Sequence, residues 1–473
     1  MDKNNFIQSN IESISKDSNI LLILIFSLVI GLLGFLFAKF EYAEYFPALA
    51  ILLILLYYAA KSNDFWVVSS LMVLPFMLLS RDEEMKVTEL FANAYLLCGL
   101  AFYFIKYHLI AREKIVENWG DLFLILFTLF TFTNIIIAFL NGVDFYEWLR
   151  GFLTLCLYLY YFPVKKFLKK KENLNYFLFA FCICIIAIST HHLNYIVYNA
   201  IRATFAYQLQ SSLRINLTLM ALAIFVSISF VFDVKSKLLK LLLIITMLLS
   251  TAAVITSFAR ATWLTVFALL VISMILLTRK QRFRILLVSF LSLIGLVLAF
   301  PNTISKADIY LKLVNKKFLS STQGKSDISI RSRIFEYEGV YREINNYPIS
   351  GSGINKKFSF KNILENSNTT YQTFTHNSFL HFWYMLGIPT TLCMIGFLIY
   401  FLVKSIYIFL IAKNMNVLQK KIAFITFCGL MIIILHSIIS AQLVSLETII
   451  TVAISCSILN NELLLSFTDD TKF

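Results

Sequence analysis

A few basic and imidazole side chains stand where an apolar chain has least reason to put them. Arg260 sits in Thr256-Ser-Phe-Ala-Arg-Ala-Thr-Trp263, between two strongly apolar runs and with no acidic residue nearby in sequence. A guanidinium there either reaches the water interface or meets an anionic partner, and it grips phosphate oxygens two at a time without losing its charge. Arg202 and Arg214 flank a further connection, 191–214, which also holds His191, His192 and several tyrosines. The densest stretch runs from Arg331-Ser-Arg333-Ile-Phe-Glu-Tyr337 to Pro348-Ile-Ser-Gly351-Ser-Gly353, and then to His376-Asn377 with Gly387 beyond. His376 suits a general base or orienter of a hydroxyl, since an unperturbed imidazole titrates near about 6.5; it also reads as a cap on the helix that follows. Gly351 and Gly353 either let the backbone approach a sugar or phosphate closely or make a plain turn.

Other polar residues have plainer readings. His381 lies off the His376 face of a helix and reads as packing or acceptor-side. Glu147, Arg150 and Lys39 fall at the ends of apolar runs, where long side chains reach back to water. His108 and His436 read as packing residues, and Glu447, near a helix end, has no specific account.

These residues must be positioned by membrane helices. The chain has 473 residues, 59% hydrophobic and only 14% charged, with a mean hydropathy of +0.78, which excludes a water-soluble fold. Apolar runs long enough to cross roughly 30 Å of hydrocarbon number about fourteen. They lie near 20–38, 46–60, 65–79, 88–105, 120–140, 146–162, 174–190, 215–232, 238–257, 262–278, 284–300, 379–403, 421–440 and 443–460. The expected fold is therefore all-α: a polytopic bundle of about 12–14 transmembrane helices with one large extracytoplasmic loop. Residues 1–19 are polar and precede a run long enough to span, so no cleaved signal peptide is expected. All seven cysteines fall in apolar runs, which argues against disulfides and thiolate metal sites.

The net charge of +14 is a matter of distribution rather than of nucleic-acid binding. With the N-terminus in the cytoplasm, the clusters Lys165-Lys166, Lys169 to Lys171, Lys235 to Lys240, Arg279 to Arg284 and Lys420-Lys421 all face inward, so both termini are expected to be cytoplasmic. The division expected is N-terminal helices over 1–190, central helices over 191–300, an extracytoplasmic loop over 301–376, and C-terminal helices with a short tail over 377–473. Within the loop, 304–319 reads as a basic amphipathic helix on the membrane surface, 331–346 as a second helix, and 346–353 as the turn that ends it.

Over roughly 200–440 the sequence resembles the O-antigen ligase/polymerase superfamily of membrane glycan transferases. The likeness rests on Arg333 with an aromatic four positions on at Tyr337, the Pro348-x-x-Gly351-x-Gly353 turn, His376-Asn377 opening a membrane helix, Gly387 eleven residues later, and Ser257-Phe-Ala-Arg260 before an earlier span. Tyrosine stands where the family commonly has tryptophan, and Ser-x-x-Arg replaces adjacent Ser-Arg.

The resemblance implies a glycan donor on undecaprenyl diphosphate, a hydroxyl acceptor such as lipid A–core, and an active site on the periplasmic side of the bacterial inner membrane. It implies no cofactor and no metal: many soluble glycosyltransferases hold a metal with Asp-x-Asp, which is absent here, and arginines would take its place. In that scheme Arg260 and Arg333 clamp the diphosphate and His376 is the base. Arg202, Arg214, Arg331, Tyr337, Gly351, Gly353 and Asn377 then bind substrate. Ligase is the reading preferred, with a surface-polysaccharide polymerase as the alternative. A transporter of lipid-linked glycan is the alternative of another class; it would want broken helices and midplane charge, whereas the chain has 14 glycines and 6 prolines and its basic residues gather at the outer face.

Overall fold

The computed structural model describes residues 46–78, 87–170, 172–202, 216–257, 259–276, 328–362, 368–411 and 417–460, with a few positions between 279 and 290. The expected span 20–38, most of 284–300, and the surface helix 304–319 lie outside the described residues.

The described residues are mostly helical. In order come α1 (Phe46–Lys61), α2 (Asn63–Leu78), α3 (Val87–Phe104), α4 (Trp119–Leu140), α5 (Phe145–Cys156), α6 (Tyr161–Phe167), α7 (Asn173–Arg202), α8 (Leu217–Phe230), α9 (Lys237–Thr256) and α10 (Arg260–Leu276). Then follow α11 (Ile328–Asn346), strands β1 (Phe358–Asn362) and β2 (Asn368–Gln372), and α12 (Ser378–Ile406), α13 (Val417–Ile439) and α14 (Leu446–Leu459). Among the described residues five stretches are long and apolar enough to cross a membrane: Trp119–Leu140, Asn173–Tyr195, Lys237–Thr256, Ser378–Leu410 and Val417–Ile438. The protein is a multi-pass, all-α membrane protein.

Two short helices form the interior. α8 and α14 have 14 residues each and are largely apolar, with Glu447 in the first turn of α14, and both are buried along almost every side chain, in contact with α13 and with each other. A helix greasy on every face needs protein or lipid on every face; here neighbouring helices supply it. By contrast α4 exposes Leu129, Phe132, Ile136 and Leu140, and α12 exposes Leu392, Ile399 and Val403, as a lipid-facing surface requires.

Two expectations change. The run 146–162 is not one span: α5 ends at Cys156, Leu157–Tyr160 tightens into a 3-10 turn, and α6 continues to Phe167. Nor does the connection 191–214 begin at 191, because α7 continues to Arg202 and carries His191 and His192 within the helix.

One end of the bundle is tied by a buried ionic knot. Asp121, fully buried in the first turn of α4, accepts from Tyr161 Oη at 2.7 Å and Lys165 Nζ at 2.9 Å, both on α6. Lys165 also meets Glu117 at 2.6 Å. Asn460, which caps α14, donates to Tyr161 and accepts from Lys404 of α12 at 2.8 Å. Four helices are thus fixed at the start of α4. The turn with Gly351 and Gly353 meets its other end, at Asn134, Ala138 and Asn141, some 33 Å away at 1.5 Å per residue.

Candidate functional site

α11 buries a stripe with helical spacing. Val340 and Ile344 are inaccessible, packed towards β1 and α12. One turn earlier that stripe reaches Glu336, only 3% exposed, a carboxylate where packing alone calls for an apolar residue. Its partner is His376. Glu336 Oε1 accepts the His376 backbone N–H at 2.6 Å, and Oε2 accepts from ring Nδ1 at 2.7 Å. A carboxylate can only accept, so Nδ1 carries the hydrogen and Nε2 is left with the lone pair. Burial works against the charge on Glu336, but the hydrogen bonds it accepts from His376 outweigh it and hold the carboxyl below its ordinary range. The His376 side chain is 39% exposed, so the dyad is anchored on the Glu336 side and open on the other.

Asn377 follows as the N-cap of α12, its Oδ1 accepting the N–H groups of Phe379 and Leu380 at 3.0 Å each. Its Nδ2 donates to the Ile438 carbonyl at 3.2 Å, and Ser378 Oγ to the Ser440 carbonyl at 2.8 Å. The start of α12 is therefore pinned to the end of α13, which fixes the chain direction at His376. His376 itself precedes the helix, so the helical angle drawn to His381 does not apply; His381 is buried on α12.

Arg333 lies one turn before Glu336 and is half-buried, while Arg331 is exposed. Tyr337 is half-buried beside Arg333: burial pushes its phenol up, and the nearby guanidinium pulls it back. Arg260 opens α10 and Arg202 closes α7, each described by its backbone alone, and Arg214 lies outside the described residues. The turn before Arg260 is fixed by its neighbours, since Ser257 Oγ and Trp263 Nε1 both donate to the Val254 carbonyl, at 2.7 and 2.8 Å.

The glycine turn is a joint. α12 leaves helical geometry at Gly387 (φ 79°, ψ 171°), and Pro389 has no N–H to give. The carbonyls of Tyr384 and Met385 thereby lose their usual helical donors, and the turn after α11 replaces them. Ser352 N–H bonds the Tyr384 carbonyl at 2.8 Å and Gly353 N–H the Met385 carbonyl at 3.0 Å, while the freed Ile388 N–H reaches the Pro348 carbonyl at 3.3 Å. Asn134 of α4 completes it, donating to the Met385 carbonyl at 3.0 Å and accepting from Ile354 N–H at 2.9 Å. Backbone meets backbone so closely that a Cβ on Gly387 would stand 1.9 Å from the Ile349 carbonyl oxygen, and one on Gly351 2.4 Å from the Gly387 nitrogen. Gly351 and Gly353 are buried, and their amides are committed to protein carbonyls.

Below the joint, β1 and β2 pair antiparallel from Phe358 opposite Gln372 to Asn362 opposite Asn368, with Phe358 and Phe360 buried. The hairpin carries the chain from the joint back to His376. Sequence reasoning overlooked Glu336 and Asn134. The signal for Glu336 was its i, i+4, i+8 spacing with Val340 and Ile344; for Asn134 it was an amide inside an otherwise apolar run.

Compared with known proteins, residues 245–395 match the family model described as O-antigen ligase, a stretch that contains Arg260, α11, the joint, His376 and Gly387. No curated protein matches the chain.

Proposed function

On the premise that residues 245–395 place this chain in the O-antigen ligase/polymerase superfamily, we propose that it moves a glycan from undecaprenyl diphosphate to an acceptor hydroxyl of lipid A–core. The transfer would take place on the periplasmic face of the inner membrane, without a metal. The observation that carries this reading is the Glu336–His376 pair: an imidazole with Nε2 free, its tautomer set by a buried carboxylate, at the mouth of a membrane helix. His376 Nε2 takes the acceptor's proton while the acceptor oxygen bonds to the anomeric carbon. The carbon–oxygen bond to the diphosphate breaks, and its electron pair leaves on the diphosphate. Glu336 stabilises the imidazolium so formed, as a buried carboxylate does in other His-based sites. Arg333, one turn from Glu336, and Arg260 offset the charge on the leaving diphosphate. Arg202, Arg214, Arg331 and Tyr337 would contact the glycan or its carrier.

The second reading keeps this chemistry and changes the acceptor to another lipid-linked repeat, which makes the protein a polymerase. The test is surface-polysaccharide profiling of a strain lacking the protein, complemented at matched expression with wild type, Arg260→Ala, Arg333→Ala or His376→Ala. Long chains that remain on the lipid carrier, with none on lipid A–core, are the result expected for a ligase; a core capped by a single repeat identifies a polymerase. Full complementation by the His376 variant would remove that residue from the chemistry.

A further inference from the structure

Beside the dyad lies a cavity of about 430 Å³, within the size range of small-molecule sites. α5 supplies Glu147, Arg150 and Thr154 to its wall; Asn355, just past the glycine joint, Phe374, two residues before His376, and His381 of α12 also line it. The wall is held in place, since Asn355 Nδ2 donates to the Glu147 carbonyl at 2.6 Å. Its chemistry is unspent. His381 is 3% exposed and its Nδ1 has no hydrogen-bond partner among the described residues. A buried ring nitrogen without a partner is costly. Glu147 and Arg150, one helical turn apart, form no ion pair among the described residues. Phe374 links the cavity to the dyad: its ring stands edge-on to the His376 imidazole at 5.9 Å, and it is 47% exposed.

These groups suit a pyranose ring better than a phosphate. A carboxylate next to the single guanidinium repels a diphosphate, whereas sugar hydroxyls donate to the carboxylate and accept from the guanidinium, and Phe374 offers a flat apolar face. We propose that this cavity is the acceptor subsite, which holds one saccharide ring so that its hydroxyl meets His376 Nε2. The inference rests on the transferase reading above and adds the class and the place of the acceptor.

The experiment is saturation-transfer NMR on the full chain in lipid nanodiscs, with methyl β-glucopyranoside and methyl N-acetyl-β-glucosaminide as probes and inorganic pyrophosphate as competitor. At least one pyranoside should receive saturation. Arg150→Ala, which removes the charged contact, should weaken its binding about tenfold. Thr154→Phe, which fills the cavity without removing a charge, should abolish it while the variant keeps wild-type thermal stability, and pyrophosphate should not compete. The subsite is refuted if neither pyranoside receives saturation, if both variants bind as wild type does, or if pyrophosphate displaces the sugar. A wild-type protein that binds the pyranoside, loses it in Thr154→Phe and yet transfers no glycan would sink the transferase reading and leave the subsite standing.

Discussion

Glu336→Gln separates charge from shape at the dyad. The glutamine fits the same space and still accepts the His376 backbone N–H, but its amide now donates to Nδ1, where the carboxylate accepted at 2.7 Å. That drives the ring hydrogen to Nε2 and removes the lone pair that takes the acceptor's proton. A hydrogen bond to a charged partner contributes roughly 1–1.5 kcal/mol more than a neutral one, so loss of the charge alone slows transfer about tenfold. The tautomer change acts in the same direction, towards the upper range of general-base effects, about 10⁴-fold. The assay is glycan transfer by the purified protein in nanodiscs, with gel-resolved product measured against pH. The pH arm has a defined sign. Glu336 is held below its ordinary range, so the contact it gives the loop is present above that range and is lost as the pH falls through its lowered value. Wild type should therefore lose loop protection from proteolysis at acid pH, and the Gln variant should lack that acid step. Wild-type activity in Glu336→Gln, with His376→Ala inactive, would refute the coupling of the two residues.

Three further outcomes follow from the geometry. Gly387→Ala places a Cβ against the Ile349 carbonyl at a positive φ, a conflict of at least 1–3 kcal/mol; thermal unfolding in detergent should fall by several degrees and transfer should be lost with it. Asp121→Asn takes the buried carboxylate charge from the buried Lys165 ammonium, and should destabilise the chain by on the order of 3 kcal/mol. Adding Lys165→Met should recover most of that in the same unfolding measurement, while a double variant no more stable than the single one would refute the pairing. Asn134→Leu removes the amide that serves both the Met385 carbonyl and the Ile354 N–H, and should lower transfer more than it lowers expression, by loosening the joint rather than the bundle.

The long membrane helices could be read directly, because α4, α9, α12 and α13 are uninterrupted apolar runs whose length alone matches a bilayer. Hydropathy could not separate α5 from α6, since a helix in lipid and a helix in protein are equally apolar and the break at Leu157–Tyr160 is made of the same residue types. Nor could it end α7, because His191, His192 and Asn194 leave the apolar run without leaving the helix. The hairpin was written in the alternation of Phe358 and Phe360 with Ser359 and Lys361, a signal short enough to be lost beside the motifs around it. His376 stood out by type, and Glu336 did not, because an acidic residue in a loop helix is ordinary until the buried stripe beneath it is traced. The glycine motif showed its positions but not its use: nothing local in Gly351-Ser-Gly353 says that its amides answer carbonyls freed by Gly387 and Pro389 some 35 residues on.

That answering of one broken ladder by another segment makes the segment between them a cassette. The chain leaves the joint at Gly353 and returns at His376, and both places are pinned, the first on Tyr384 and Met385 and the second on Glu336 and the end of α13. Residues may be added or exchanged between β1 and β2 without moving His376 relative to α12. The hairpin could therefore be reshaped while the Glu336–His376 pair stays in place.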